Sequence, residues 1–204
     1  MPRKNKKLPR HLLVIRTSAM GDVAMLPHAL RALKEAYPEV KVTVATKSLF
    51  HPFFEGVDVD FLDIETRRTH RGIRGAIRFA REAAELKIDA VADMHNVLRS
   101  KMVRAALHLR GIPVSVIHKG RIEKYMRLGR GSEGVKPLKH TVIRYCDVFR
   151  RLGFDFPDPR PAEKRPRPNP MGEKQGIWIG FAPFSAPPGQ TDPERLLAPA
   201  VRLL

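Results

Sequence analysis

The segment Thr17-Ser-Ala-Met-Gly-Asp22 carries side chains that could bind a ligand and move a proton. Thr17 and Ser18 offer hydroxyl groups, and Gly21 allows a sharp turn and a close approach of the backbone to a ligand. Asp22 has two interpretations. A carboxylate at the start of a helix is commonly an N-cap, and its position alone favours that role. The alternative is a general base that accepts a proton from a substrate hydroxyl.

A second polar segment is Asp93-Met-His-Asn-Val-Leu-Arg-Ser-Lys101. His95 could bind a phosphate or a hydroxyl group, while Arg99 and Lys101 supply fixed positive charge for an anion. In the simpler interpretation, Asp93 and His95 satisfy hydrogen bonds of a loop and helix start, and the bases coat a solvated helix face. Spacing alone slightly favours this simpler interpretation. His118, at the end of a further predicted strand, is a weaker candidate for the same ligand site.

Several standard catalytic patterns are missing from the sequence. Its histidines have no metal-ligand spacing with a carboxylate or cysteine, so no bound metal is predicted. The sequence has no Walker loop, no Gly-x-Gly-x-x-Gly and no Gly-x-Ser-x-Gly. These absences weigh against a phosphate-loop nucleotidase, a standard dinucleotide enzyme and a serine hydrolase, and no cofactor is predicted.

The first polar segment follows a short apolar run, His11 to Arg16, which is typical of a buried parallel strand. After it, apolar residues spaced three or four apart from Val23 to Leu33 predict a helix that ends before Pro38. Pro27 lies within that pattern. Because proline disrupts a helix interior, we expect the helix to begin late or to bend at Pro27.

The alternation of strands and helices continues along the chain, which predicts a doubly wound, Rossmann-like parallel sheet with helices on both faces. In such folds ligands bind beyond the carboxyl ends of the strands, so both polar segments are expected at one cleft. The further predicted strands are residues 40–45, 61–64, 88–93 and 113–118, and the further helices are residues 73–84, 97–110 and 141–152.

Charge is the most unusual feature of the composition. The 204 residues include 38 Lys and Arg against 21 Asp and Glu, a formal net charge of +17. Residues 99–151 hold fourteen bases and three acids. Anionic lipid head groups, nucleotide phosphates or RNA would suit such a surface, but the stretch lacks the aromatic spacing or zinc ligands of common nucleic-acid modules, which disfavours nucleic acid.

The compartment and domain boundaries also follow from composition. Cys146 is the only cysteine, and the amino terminus lacks the apolar run of a signal peptide, so we expect a cytoplasmic protein. Its positive charge also leaves peripheral binding at the membrane surface as an alternative. Four regions are predicted: a basic tail (1–10), an α/β domain (11–154), a proline-rich linker (155–175) and the start of an incomplete second domain (176–204).

Four segments of the chain resemble glycosyltransferase family nine, the ADP-heptose:lipopolysaccharide heptosyltransferases and their relatives. The most specific segment is Ser18-Ala-Met-Gly-Asp22, within a similar run over residues 13–38. Residues 92–101, 145–154 and 179–186 are similar to later landmarks of the family. Together the similar segments cover most of residues 11–186.

The resemblance implies a two-Rossmann-domain (GT-B) enzyme that inverts the anomeric carbon without a metal. It would move a sugar, heptose, from a nucleotide diphosphate sugar, ADP-heptose, to a lipid-linked lipopolysaccharide-core saccharide at the inner membrane face. The residue that matches the family's proposed catalytic base is Asp22, which raises that interpretation above capping. The amino-terminal domain would hold the acceptor, whose phosphates suit the basic stretch 99–151.

The sequence departs from the family in the predicted donor domain. The family pattern Ala-x-x-Gly-Lys-x-x-Pro is matched by Ala186-Pro-Pro-Gly-Gln-Thr-Asp-Pro193, so Gln190 replaces a charged lysine beside the donor phosphates. Ser185 and Gly189 are the other predicted donor contacts. Because family members run well beyond 300 residues, we expect a shortened heptosyltransferase-like protein. The alternatives are a noncatalytic basic module that binds anionic saccharide, lipid or RNA, and an incomplete product that exposes apolar surface.

Overall fold

A parallel sheet covered by helices forms the part of the chain that the computed structural model describes, namely residues 7–65, 69–120 and 138–159 with residues 172 and 176. The chain divides into two units, Met1–Ala162 and Glu163–Leu204, and the elements that the structure describes belong to the first. The strands are β1 (His11–Ile15), β2 (Lys41–Thr46), β3 (Asp60–Asp63), β4 (Ala90–Asp93) and β5 (Val114–Val116). The helices are α1 (Met20–Ala36), α2 (Gly72–Glu85), α3 (Leu98–His108) and α4 (Thr141–Arg151), with a 3₁₀-helix at Ser48–Phe54.

The strand order is β3-β2-β1-β4-β5, and every neighbouring pair is parallel. All residues of β1 are buried, because this central strand is paired on both sides and covered on both faces. Its side chains alternate: Leu12 and Val14 pack on one face of the sheet, and Leu13 and Ile15 pack on the other. The continuous apolar run that predicted a buried parallel strand therefore supplies two cores at once.

Each face of the sheet is covered by its own set of helices, which confirms the predicted doubly wound α/β class. Helices α1 and α4 and the 3₁₀-helix pack on the face of Leu12 and Val14. Helices α2 and α3 pack on the face of Leu13 and Ile15, and they also contact each other.

Helix α1 begins earlier than the sequence predicted. It starts at Met20, upstream of Pro27, so the expected late start is wrong. Pro27 has no N–H to donate to the carbonyl of Val23, which removes one helical hydrogen bond. The buried face of α1, which includes Leu26 and Leu30, packs against the sheet, and this tertiary packing outweighs the local penalty.

Other boundaries shift by a few residues, and the 3₁₀-helix at Ser48–Phe54 was not predicted. The predicted strands 88–93 and 113–118 shorten to β4 and β5. The predicted linker and second-domain strand fall almost entirely outside the described residues, so those domain boundaries stay predictions. Within the described ranges, no helix has both the length and the apolar character needed to cross a membrane.

The strand order reverses beside β1. From β1 the chain passes to β2 and β3 on one side, then returns to β4 on the other side. The connections that leave the carboxyl ends of β1 and β4 therefore diverge to opposite faces of the sheet, a topology that forms a crevice between them in open α/β sheets. Ligands of open α/β sheets bind at such a switch point.

Candidate functional site

The two polar segments singled out from the sequence meet at this switch point. The side chain of Ser18, after β1, lies with its Oγ 3.4 Å from Nε2 of His95, after β4. The guanidinium group of Arg16 donates through Nη1 to the carbonyl of Met94, which joins the same two connections a second time. Arg16, Ser18, Asp22, His95 and Asn96 are called the switch-point site below.

Asp22 is the third residue of α1 and is not its N-cap. Ala19 occupies the N-cap position and makes no side-chain capping hydrogen bond. The carboxylate of Asp22 instead forms an ion pair with Arg16, accepting a hydrogen bond from Nη2 on Oδ2. Its side chain is 39% exposed, so a ligand in the crevice can reach it. The N-cap interpretation is therefore wrong, and Asp22 presents a carboxylate that faces both Arg16 and solvent.

Arg16 is a buried cation at the end of β1. Its side chain is only 6% exposed, and its Nε has no hydrogen-bond partner among the described residues. Burying a guanidinium group is costly unless a carboxylate and hydrogen-bond acceptors compensate it, and here Asp22 and the Met94 carbonyl do so. The pair thus fixes Asp22 relative to the sheet.

Tyr145 of α4 holds the backbone of Asp22 from the other side. Its hydroxyl donates to the carbonyl oxygen of Asp22 over 3.0 Å, and its ring lies 6.0 Å from the guanidinium carbon of Arg16. Burial raises the pKa of Tyr145 to about 12, despite the opposing charge of Arg16. The hydroxyl therefore stays protonated at neutral pH and remains a donor.

Asp93 shapes the second loop. Its Oδ1 accepts hydrogen bonds from the backbone N–H of His95 (2.9 Å) and Asn96 (2.8 Å), while Oδ2 lies 3.3 Å from Nη1 of Arg104. Asn96 has a φ of 46°, a left-handed conformation that asparagine tolerates better than most residues. The simpler interpretation of this segment is confirmed for Asp93, which organises the loop, but not for the imidazole of His95.

His95 is a neutral imidazole in the crevice wall. It exposes 9% of its surface, and burial lowers its pKa to about 4, with further lowering by the charges of Arg16 and Lys119. Its Nδ1 is buried and has no hydrogen-bond partner in the described part of the chain. A neutral ring can donate or accept a hydrogen bond but adds no charge, which favours a hydroxyl group over a phosphate as its ligand.

Positive potential nevertheless surrounds the site. Helices α1 and α3 both begin beside it, and the N–H groups of a helix amino terminus attract anions. Lys119 is half-buried and donates to the carbonyl of Asn96 over 3.4 Å. Together with Arg16, these groups would stabilise negative charge that develops in the crevice.

The remaining predicted residues are placed less centrally. Thr17 is buried beside the site. Gly21 lies in the first turn of α1, not in a sharp turn, so that interpretation is wrong; a Cβ there would meet no atom within 4 Å. Lys101 is exposed on α3, and His118 is exposed while its carbonyl accepts from Arg144. The side chain of Arg99, and Ser185, Gly189 and Gln190, lie outside the described residues.

Two residues of the arrangement were not predicted from the sequence. Arg16 gave a weak local signal, because a charged residue directly ends a buried apolar strand. Tyr145 gave none, since it stands 123 positions from Asp22. Among the described residues no cluster of His, Cys, Asp and Glu is placed to hold a metal ion, and the expectation of a metal-free reaction stays a prediction.

Solved structures of other proteins share this fold. The glycosyl transferase family 9 protein of Veillonella parvula is 17% identical, with a TM-score of 0.52 over 71% of this chain and 42% of that chain. The E. coli heptosyltransferase WaaC with ADP is 24% identical, with a TM-score of 0.50 over 72% and 49% of the two chains. The same enzyme with ADP-2-deoxy-2-fluoro heptose is 23% identical, with a TM-score of 0.51 over 74% and 50%.

These likenesses are structural. The sequence matches no family model and no curated protein sequence. The chain spans about half the length of each of the three solved structures. At this level of identity they show the shared α/β fold, in agreement with the sheet order and layers described above.

Proposed function

We propose that the chain is the acceptor-side domain of a glycosyltransferase, with Asp22 as its general base. The observation that carries the proposal is the carboxylate of Asp22, half-exposed at the switch point and held by Arg16 and Tyr145. The structural likeness to heptosyltransferases supports heptose as the sugar, with ADP-heptose as donor and a lipopolysaccharide-core saccharide as acceptor.

The proposed reaction is a direct displacement that inverts the anomeric carbon. The acceptor hydroxyl donates its proton to the carboxylate of Asp22 as its oxygen bonds to that carbon. The bond between the carbon and the diphosphate oxygen breaks, and the electron pair leaves on the nucleoside diphosphate. The helix amino termini of α1 and α3, with the charges of Arg16 and Lys119, favour the negative charge that develops.

His95 would position the acceptor in this scheme. Because its ring is neutral above about pH 4, it can hydrogen-bond a sugar hydroxyl without competing for the proton that Asp22 accepts. Gly21 leaves open space on the helix surface next to Asp22, where a sugar ring could approach the carboxylate. We further propose that the protein acts in the cytoplasm on a membrane-anchored acceptor.

The decisive experiment supplies the 204-residue chain with the missing donor-binding half and measures ADP release from ADP-heptose in the presence of heptose-deficient lipopolysaccharide, with the mass of the acceptor as second readout. We expect the acceptor to gain one heptose. Asp22→Asn should slow the transfer by roughly 10²–10⁴-fold, the usual contribution of a general base, because asparagine cannot take the proton.

Asp58→Asn is the matched control, since it makes the same chemical change at an exposed carboxylate that pairs with Lys34 away from the crevice. That variant should keep the wild-type rate. ADP release that does not depend on the acceptor, or an Asp22→Asn variant with undiminished transfer and an intact fold, would overturn the proposal.

A further inference from the structure

Helix α2 exposes a face on which isoleucines alternate with arginines. The face consists of Ile73, Arg74, Ile77, Arg78 and Arg81, and is called the α2 face below. These positions follow the i, i+1, i+4, i+5, i+8 pattern of one side of a helix. The opposite side, which includes Ala76, Phe79 and Ala83, is buried against the sheet. The α2 face is thus the outward side of an amphipathic helix.

The exposure of the isoleucines is large for β-branched apolar residues. Ile73 is 66% exposed and Ile77 is 47% exposed, one helical turn apart. Leu98, at the start of the neighbouring helix α3, is 76% exposed. Ile73 and Leu98 both stand in the first turn of a helix that leaves the carboxyl edge of the sheet, the edge on which the switch-point site opens. Large apolar side chains grouped on a surface indicate contact with an apolar partner.

The charges of the α2 face remain largely available. Arg78 pairs with Glu82, but within the described part of the chain Arg74 and Arg81 form no ion pair. Helices α2 and α3 together contain six basic residues and two acidic ones. A partner that covers this surface should therefore be negatively charged as well as apolar.

The basic stretch 99–151 is less suited to such a partner where the structure describes it. Most of its arginines are engaged within the domain: Arg104 with Asp93 and Asn96, Arg144 with two backbone carbonyls, Arg150 with Asp147 and Asp158, and Arg151 with Ser115 and the Val116 carbonyl. The sequence predicted stretch 99–151 as the anion-binding surface, whereas the structure leaves the arginines of α2 facing outward.

The chemistry of the α2 face fits a lipid surface better than RNA. Proteins that bind single-stranded RNA stack bases on aromatic rings, and the α2 face has no aromatic residue. Helices that lie in a membrane interface instead place apolar side chains among the acyl chains and bases beside the anionic head groups. Ile73 and Ile77, bordered by Arg74, Arg78 and Arg81, have this arrangement.

We propose that the α2 face docks the protein on an anionic phospholipid bilayer. Ile73 and Ile77 enter the head-group boundary, and Arg74, Arg78 and Arg81 contact lipid phosphates. The inference goes beyond sugar transfer and does not depend on it, because only the surface of α2 takes part. A chain with no transferase activity would still dock.

The test is sedimentation of the full chain with vesicles of phosphatidylcholine, with or without phosphatidylglycerol. We expect binding to the anionic vesicles that weakens as salt rises. Replacing Arg74 and Arg81 with glutamine should lower the partition coefficient about fivefold for each charge removed. Ile73→Ser with Ile77→Ser should lower it too, and that loss should persist at low salt.

The matched control is Leu109→Ser with Arg110→Gln, which removes one exposed apolar residue and one exposed charge just past the far end of α3, at the opposite edge of the sheet. The control should bind like wild type. So should Asp22→Asn, which separates docking from catalysis. Wild-type chain that ignores anionic vesicles, α2-face variants that bind them normally, or polyuridylate binding that falls in those same variants would overturn the proposal.

Discussion

At the scale of single residues, His95 shows how burial, together with the neighbouring charge of Arg16, sets the protonation state of an imidazole. The burial of Arg16 is compensated by its hydrogen bonds to Asp22 and to the Met94 carbonyl. Burial, and after it the charge of Arg16, lowers the pKa of His95. The switch-point site therefore combines one fixed ion pair with one imidazole that stays neutral over the physiological range.

The neutral state of His95 has a consequence for stability. Its folded pKa is about 4 and the ordinary value is 6.5, so between these values the unfolded chain binds the proton and the folded chain does not. His95 therefore costs no free energy of unfolding above about pH 6.5, and the free energy of unfolding falls as the pH drops toward 4. At pH 5 the cost should be about 2 kcal/mol.

Urea unfolding at pH 7.5 and pH 5 measures this effect, with His95→Gln as the reference because glutamine does not titrate. The wild type should lose more unfolding free energy than the variant over that interval. His11 and His28, whose pKa values are also lowered, are present in both proteins and cancel in the difference. Equal losses in the two proteins would contradict the assignment.

The sequence placed Asp22 and His95 at one site for a reason that holds in general: both follow strands of a parallel sheet. The sequence did not predict the residues that hold the site together. The role of Arg16 depends on the Met94 carbonyl, 78 positions away, and that of Tyr145 on a carbonyl 123 positions away. No local pattern encodes such contacts, because packing of the whole domain creates them.

At the scale of elements, a single hydrogen bond ties α4 to the first turn of α1. The hydroxyl of Tyr145 is fully buried with its ring and donates to the Asp22 carbonyl. Tyr145→Phe keeps the ring and removes the donor, so it should cost about 1 kcal/mol, the usual net worth of such a bond. Equilibrium unfolding in urea measures the loss.

Tyr37→Phe provides the comparison. The hydroxyl of Tyr37 bonds the backbone of Asp155 at the opposite end of α1, in an exposed setting where water can replace it. Its removal should cost less than that of the Tyr145 hydroxyl. A larger loss for Tyr37→Phe would show that α4 does not depend on the buried bond.

Element boundaries were predicted where periodicity was strong and missed where tertiary contacts decide. The apolar spacing of α1 predicted its buried face correctly, but the local cost of Pro27 suggested a start that the structure does not have. The 3₁₀-helix at Ser48–Phe54 buries Phe50 and Phe54 over too few residues to show a period. Local propensity is overridden in each case by burial against the sheet.

At the scale of the whole molecule, stability should be graded from the centre of the sheet to its edge. Strand β1 is buried throughout and paired on both sides, whereas β3 is an edge strand with mostly exposed residues. In native-state hydrogen exchange, amides of Leu12 to Val14 should exchange only on global unfolding, and those of β3 by local opening. Protection of β3 equal to that of β1 would contradict this gradient.

The α/β class was predictable because strands and helices alternate along the chain, and that rhythm admits few folds. Strand order required the structure. Nothing local in the sequence places β4 next to β1 and not next to β3, since the choice depends on which apolar faces α2 and α3 can cover. The site inherits this dependence, because it exists only where β1 and β4 are neighbours.

Side-chain hydrogen bonds hold the pairing of β1 with β4 at both ends. At the amino end, Asp89 accepts hydrogen bonds from the backbone N–H groups of Arg10 and His11. At the carboxyl end, Arg16 donates a hydrogen bond to the carbonyl of Met94. A shift of one residue in the register of β1 would break the hydrogen bonds at both ends and turn Leu13 and Ile15 toward the opposite face of the sheet. The register of the sheet therefore fixes the separation of Asp22 and His95. A ligand must match that separation, or side-chain movements alone must accommodate it.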